Sequence, residues 1–498
     1  MVILGSALAM VAGSAVAFTG LTPASASTPS ATSSATNPRF QSDRWSTPTY
    51  DHKYSQSITS EQFSTPAVTN MGSGKIPEVI AGFPNGHVYV WGARTGNRWL
   101  DRYIGPGAVQ ASPTIVDLNH DGQPDIVATD TAGDVVGFTL GNKTIFRAHT
   151  GVGPHQFGNF ATTAVADLNG DGHLDIIQAG WDHYVHVWDG RYLNPTKSTR
   201  QLPGYPAFLK DTIWSSPVIA DLNHDGIKDI IVGYDCDGVQ GQPCYKIRDR
   251  YQRGGYVTAL NGAGANAGKP LPGWPRFVNG QTIWSSPAVT DLNHDGKLDV
   301  VVGTGNMLDG GHEILAYDRT GKFLPGWPVK VAGRPTGSPA IGDLDHNGNK
   351  EVAVTDDNGY LYVINADGHI RYKKCISNTM TNCSATGPRI HGSASIANFT
   401  GLSGGRQEVL VGGEQHMYVF DNNGALAFSG MLWWTDRKVR SLPYMCAPTY
   451  ANIDGKAKVF VAAGDFTFGE VFAWTLNQPY VHADWPTFHH DMERTGIL

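Results

Sequence analysis

The sequence predicts an all-β fold, an eight-bladed β-propeller of four-stranded antiparallel blades, with a seven-bladed ring as the alternative. Three observations predict it. A nine-residue, oxygen-rich phrase occurs five times; short apolar runs rich in β-branched residues flank each copy; and units aligned on the phrase recur about every 55 residues over most of the chain.

In its first full copy the phrase runs from Asp117 to Asp125 with a tight turn at Gly122. Carboxylate or amide oxygens at positions one, three, five and nine, with a backbone carbonyl at position seven, can converge on one Ca2+. The copies supply Asp117, Asn119, Asp121, Gln123 and Asp125; Asp167, Asn169, Asp171, His173 and Asp175; Asp221, Asn223, Asp225, Ile227 and Asp229; Asp291, Asn293, Asp295, Lys297 and Asp299; and Asp343, Asp345, Asn347, Asn349 and Glu351. About five Ca2+ ions are expected. Bare Asx/Gly turns are the structural alternative. An EF-hand is excluded, because it needs a twelfth-position Glu between two helices, whereas Ala164-Val165-Ala166 before and Ile176-Ile177 after the second copy read as strands joined by the loop.

Units at Asn70, Asn398 and Asn452 keep the strands and have lost most ligands, giving eight in all. A lone four-stranded sheet cannot cover both of its faces, and radial stacking in a ring does so while closing most edges. Trp214 and Trp284 precede Ser-Ser-Pro, and Trp274 and Trp327 sit in Pro-Gly-Trp-Pro. Their fixed place in the unit is read as packing between blades, with sugar stacking as the alternative.

The 498 residues, 41% of them hydrophobic, can bury a large core, and 60 Gly with 29 Pro punctuate many short strands. The formal charge of −7 would be more than cancelled by five divalent ions, so it says little about partners; no Lys/Arg cluster points to nucleic acid. Residues 1–26 read as a secretory signal lacking its basic start, with a non-cleaved anchor as the alternative and no further membrane span. Residues 27–62 are a Ser/Thr-rich linker and N-terminal arm, 63–485 the propeller, and 486–498 a tail packed on the last blade. Cys236–Cys244 and Cys375–Cys383 are expected as local disulfides, with Cys446 a buried small hydrophobe.

The phrase Ser-Pro-x-Val/Ile-x-Asp-Leu-Asn-His-Asp-Gly-x-x-Asp resembles the FG-GAP/VCBS repeats of integrin α-subunit propellers and of many secreted bacterial proteins. The resemblance implies Ca2+ ligation by the Asp and Asn residues named above, bracing the hairpin between the first two strands of a blade. Integrin propellers have seven blades, a departure from the count here.

Naming the strands of a blade A to D, the cation loops are all A–B turns and lie on one face of the disc. The long insertions are B–C or D–A connections on the other, where binding residues are expected. Candidate contacts there are His155, Tyr234, Asp235, Tyr245, Arg250, His312, Arg389 and His391. The expected function is a secreted, Ca2+-stabilised binding or adhesion module for an extracellular glycan or protein. The alternatives are a polysaccharide-active enzyme of lyase type working on that face, and a structural component of the cell envelope.

Overall fold

The computed structural model describes residues 40–46, 64–69, 77–153, 156–196, 200–236, 245–247, 250–305, 312–377, 380, 383, 392–400, 405–413, 416–431, 446–464, 469–491 and 494–498. The signal segment, most of the linker, His155, Cys244, Arg389 and His391 lie outside these residues.

Side-chain alternation decides how the sheets stack. All five residues of strand Asp125–Thr129 are buried, yet Ile126 and Ala128 pack with Ile80, Val90 and Leu100, whereas Val127 packs with Val165 and Ile176. Successive side chains of a strand point to opposite faces, so this strand feeds two cores and needs a neighbouring sheet on each side. Eight four-stranded antiparallel sheets meet that need. In blade 2 strands A to D are Thr114–Val116, Asp125–Thr129, Asp134–Thr139 and Thr144–His149. The A strands adjoin one another from blade to blade and form the inner wall of the ring.

Blade 8 is composite. Thr449–Ile453, Lys456–Gly464 and Gly469–Pro479 form its strands A to C, and Phe40–Ser46 pairs with strand C from Phe40↔Leu476 to Ser46↔Glu470. Part of the expected N-terminal arm is therefore the outermost strand of the last blade, and a backbone ladder joins the beginning of the ring to its end.

The Ser-Ser-Pro phrase has a structural cause. Its first Ser closes its own blade: Ser215 Oγ accepts the Gly233 N–H at 3.1 Å, and Ser285 Oγ accepts Gly303 N–H at 3.2 Å. Its second hydroxyl ties neighbouring blades. Thr65 N–H donates to Ser112 Oγ, Ser112 N–H to Thr162 Oγ1, Thr162 N–H to Ser216 Oγ, Ser216 N–H to Ser286 Oγ, Ser286 N–H to Ser338 Oγ and Ser338 N–H to Ser393 Oγ, all at 2.9–3.0 Å. The belt resumes with Ala447 N–H on Thr65 Oγ1 at 2.9 Å. Between blades 7 and 8 the residue in register is Ala447, which has no hydroxyl to offer. Ala447→Ser is expected to complete the belt and raise stability by about 1 kcal/mol, the net worth of one buried hydrogen bond; a urea melt checks this, and an unchanged midpoint would show that the joint gains nothing from it.

The C-terminal tail crosses that joint and then fills the axis. Trp485 forms a β-bridge with Ile396 on strand A of blade 7, and Pro486 C=O accepts Tyr450 N–H on strand A of blade 8 at 2.7 Å. The chain turns, with Thr487 bridged to His490. It returns past strands A of blades 4 and 5, where Ile219 N–H donates to Thr495 C=O (3.2 Å) and Val289 N–H to Gly496 C=O (2.9 Å). Arg494 is fully buried, its Nε–H on Pro113 C=O at 3.2 Å and an Nη1–H on Phe488 C=O at 2.6 Å. The tail thus touches the last blade, and also blades 2, 4, 5 and 7.

Candidate binding face and cation loops

Each A–B loop is wound by its own oxygens. In blade 2 the Asp117 carboxylate accepts N–H from Asp121 (3.0 Å) and Gly122 (2.9 Å), and Asn119 Oδ1 accepts Asp121 N–H. The same bonds recur around Asp167, Asp221 and Asp291. The turn needs left-handed backbone at position four, occupied by His120, His224, His294 and His346 at φ of 58–59° and by Gly170 in blade 3, and again at the sixth-position Gly.

The ninth-position acid opens strand B and is buried. One oxygen of Asp125 accepts Leu118 N–H at 3.0 Å, and one of Asp299 accepts Leu292 N–H at 3.1 Å. The other oxygen of each is sealed from solvent with no hydrogen-bond partner. Burial pushes the carboxyls of Asp125 and Asp175 up to about 6, and those of Asp229, Asp299 and Glu351 up to about 7. In blades 2 and 5, where that oxygen is orphaned, the buried acid fits one ligand of a divalent cation; among the described residues only Asp343, Asp345 and Glu351 of blade 6 bring three acidic oxygens within 4.8 Å of one another. Blade 7 solves the same problem without one: Glu408 at this position accepts Thr400 N–H at 2.6 Å and the Thr400 hydroxyl.

The opposite face carries an arc of rings. Phe160, Trp214 and Trp284 occupy one register position in blades 3, 4 and 5, two residues before the belt hydroxyls of Thr162, Ser216 and Ser286. Their ring centroids are 4.7 Å apart from Phe160 to Trp214 and 4.7 Å from Trp214 to Trp284. Trp181, on the B–C turn of blade 3, backs them at 4.9 Å from Phe160 and 4.7 Å from Trp214, and Phe157 abuts Trp181 at 5.1 Å. Trp181 is buried, and the other four are half-buried. In register with the arc, blade 2 places Gln110, buried with both amide atoms unpartnered; Trp181 Nε1 is likewise buried without a partner.

The described candidate contact residues each have their own local partners. Asp235 is buried and fixes the arc, accepting Trp284 Nε1–H at 3.0 Å and Ile283 N–H at 3.1 Å. Tyr234 is buried and stacked on Tyr256 with centroids 5.1 Å apart. His312 Nδ1 pairs with Ala332 C=O at 3.0 Å. Tyr245 and Arg250 lie on a small antiparallel hairpin, Tyr245–Ile247 with Arg250–Gln252, inserted between strands B and C of blade 4.

The FG-GAP-like repeat family matches residues 117–178, 167–232 and 291–354. Together these segments span the A–B loops of blades 2 to 6, the last of them Asp343–Glu351, with the strands beside them. The chain is an eight-bladed propeller with FG-GAP-like repeats in three places. Among solved structures, this propeller is similar to the Vibrio cholerae biofilm matrix protein Bap1, at 15% identity and a TM-score of 0.54 over 88% of this chain and 92% of that one. It is also similar to Sqt1 of Saccharomyces cerevisiae, at 11% identity and a TM-score of 0.55 over 88% and 100% of the two chains. At such identities the likeness is one of fold. No curated protein matches the chain in sequence.

The four tryptophans of the Trp-Ser-Ser-Pro and Pro-Gly-Trp-Pro phrases divide into two kinds. Trp274 Nε1–H donates to Arg319 C=O at 3.1 Å and Trp327 Nε1–H to Ala366 C=O at 2.9 Å, each reaching into the next blade, which is the packing role expected of them. Trp214 and Trp284 stand instead in the arc. The Cys375–Cys383 disulfide is present, Cys236 is disulfide-bonded, and the free Cys446 is buried with its Sγ on Ala462 C=O at 2.8 Å. Among the described residues no helix is long and apolar enough to cross a membrane.

Proposed function

We propose that this protein is a secreted binding or adhesion module in which Ca2+ in the A–B loops stiffens the blades, and the aromatic arc on the opposite face takes an extracellular glycan. The arc of Phe157, Phe160, Trp214 and Trp284 carries this reading. Four half-buried rings in contact leave apolar area open to solvent on a rigid support, and the flat C–H faces of sugar rings suit such plates. A saccharide is favoured over a protein segment by the polar groups nearby. A hydroxyl donates and accepts at once, so it satisfies both ends of the Gln110 amide, and it can accept from Trp181 Nε1. A peptide backbone carries its donor and acceptor on separate groups, so no single group of it serves both ends of the amide.

A glycan array probed with the wild-type protein and with Trp214→Ala or Trp284→Ala tests the proposal. Loss of one stacked ring is expected to weaken binding about tenfold, by analogy with 1–2 kcal/mol for aromatic contacts, with circular dichroism unchanged. Wild-type binding to no glycan, or equal binding by all three proteins, would overturn it.

A further inference from the structure

We propose that blade 6 carries its own cation, the guanidinium of Arg371, which holds Asp345 and Glu351 together in the role that a divalent ion plays in the loops of blades 2 to 5. This rests on the Ca2+ reading given above for those four loops.

The fifth loop departs from the others in a correlated way. Its third position is Asp345, where the other copies have Asn119, Asn169, Asn223 and Asn293, and its fifth is Asn347, where they have Asp. The acid has moved toward the outer strand of the blade, Ile370–Cys375, and Arg371 on that strand meets it. One Nη lies 2.6 Å from Asp345 Oδ2 and the other 3.0 Å from Glu351 Oε1. Oxygens of Asp343, Asp345 and Glu351 all lie within 4.8 Å of one another, so some positive charge is needed among them. In blade 2, strand Thr144–His149 has Ile145 at the place of Arg371, two strands from its loop in the same ladder.

The basic residues beside the other loops do not do this. Arg191 meets Asp171 Oδ2 in blade 3 but also pairs with Asp189, and Lys297 meets Asp295 Oδ2 in blade 5, both side chains more than two-fifths exposed. Arg319 and Lys350 reach the backbone carbonyls of Asn223 and Asp291, with no loop carboxylate bridged. Arg371 is 19% exposed and Glu351 only 2%. Guanidinium does not lose its proton in a protein, and its fork holds two carboxylates by charge-assisted bonds. A Ca2+ ion entering this loop must first break both, which lowers its affinity about 100-fold or more relative to the other loops.

The test is a metal count by inductively coupled plasma mass spectrometry after equilibration with Ca2+ and buffer exchange. The wild-type protein is expected to hold four ions, Glu351→Gln also four, and Asp225→Ala three. Arg371→Met is expected to hold five, because Asp345 Oδ1, already buried without a partner, then becomes available together with the freed oxygens. Five ions in the wild type, or the loss of one ion in Glu351→Gln, would overturn the proposal, and both measurements stand whether or not Arg371→Met folds. Fewer than four ions in the wild type would instead sink the Ca2+ reading of blades 2 to 5, a different failure.

Discussion

Deleting residues 484–498 is expected to leave a protein that melts at least about 10 °C lower or fails to accumulate as a folded species. Trp485 is 1% exposed inside the core of blades 5 to 7, and Trp→Ala at such a site costs about 3–5 kcal/mol on its own. The deletion further uncovers backbone partners on strands A of blades 4, 5, 7 and 8, and it removes a segment that bridges the joint where the hydroxyl belt is interrupted, leaving there the direct bond from Ser395 Oγ to Pro448 C=O. Those losses together match the roughly 5–15 kcal/mol by which whole domains are stable. A gentler variant, Arg494→Met, keeps much of the volume and takes the donors from Pro113 C=O and Phe488 C=O. It should cost about 2–4 kcal/mol, the penalty for stranding buried acceptors. Thermal melts with limited proteolysis read both. A truncated protein that melts with the wild type would mean that the axis needs no filling.

Removal of Ca2+ should have a comparable effect, with a pH dependence of definite sign. A ligand that binds only the folded chain at 100 times its dissociation constant adds about 2.7 kcal/mol per site, so four occupied loops contribute on the order of 10 kcal/mol. Excess EGTA at pH 7.5 is expected to lower the melting temperature by about 10 °C or more, and added Ca2+ to restore it. In the metal-free protein the ninth-position carboxyls titrate at about 6 to 7, above the ordinary value near 4. Groups raised in this way favour folding while protonated, and that contribution is lost as pH rises through 6 to 7. The chelated protein should therefore melt higher at pH 6.0 than at pH 7.5. With Ca2+ present the order reverses, because the ion must displace those protons and binds less well at the lower pH. Scanning calorimetry at the two pH values, with and without EGTA, decides it; melts indifferent to EGTA would remove the cation from the account.

The sequence made legible what repeats. Asp-x-Asx-x-Asx-Gly between β-branched runs marks strand A, its loop and strand B, since loop chemistry and alternation both act over a few residues. The outer strands were harder to see: Ala207–Phe208 and Val329–Lys330 are two residues long, and no period can emerge from two residues. The arc had a signal in the shared register of Phe160, Trp214 and Trp284, but only the closed ring shows that this position faces its neighbours across blades. Trp181 and Phe157 come from other connections and had no such mark. The tail offers neither alternation nor helical period, because it pairs singly with five blades in turn. Likewise, nothing local in Phe40–Ser46 announces a partner more than four hundred residues away.

Strand A of blade 4, Val218–Ala220, separates Trp214 from Asp221 by only seven residues, about 20 Å of extended chain. Strand A is thus a short covalent route from the cation-loop face of the disc to the face that carries the arc. In blades 1 to 7 that strand is also tied to a neighbouring blade by a belt hydroxyl, which Ala447 of blade 8 lacks. If the A–B loops take Ca2+ and the arc takes a glycan as proposed, any effect of one on the affinity for the other is reciprocal.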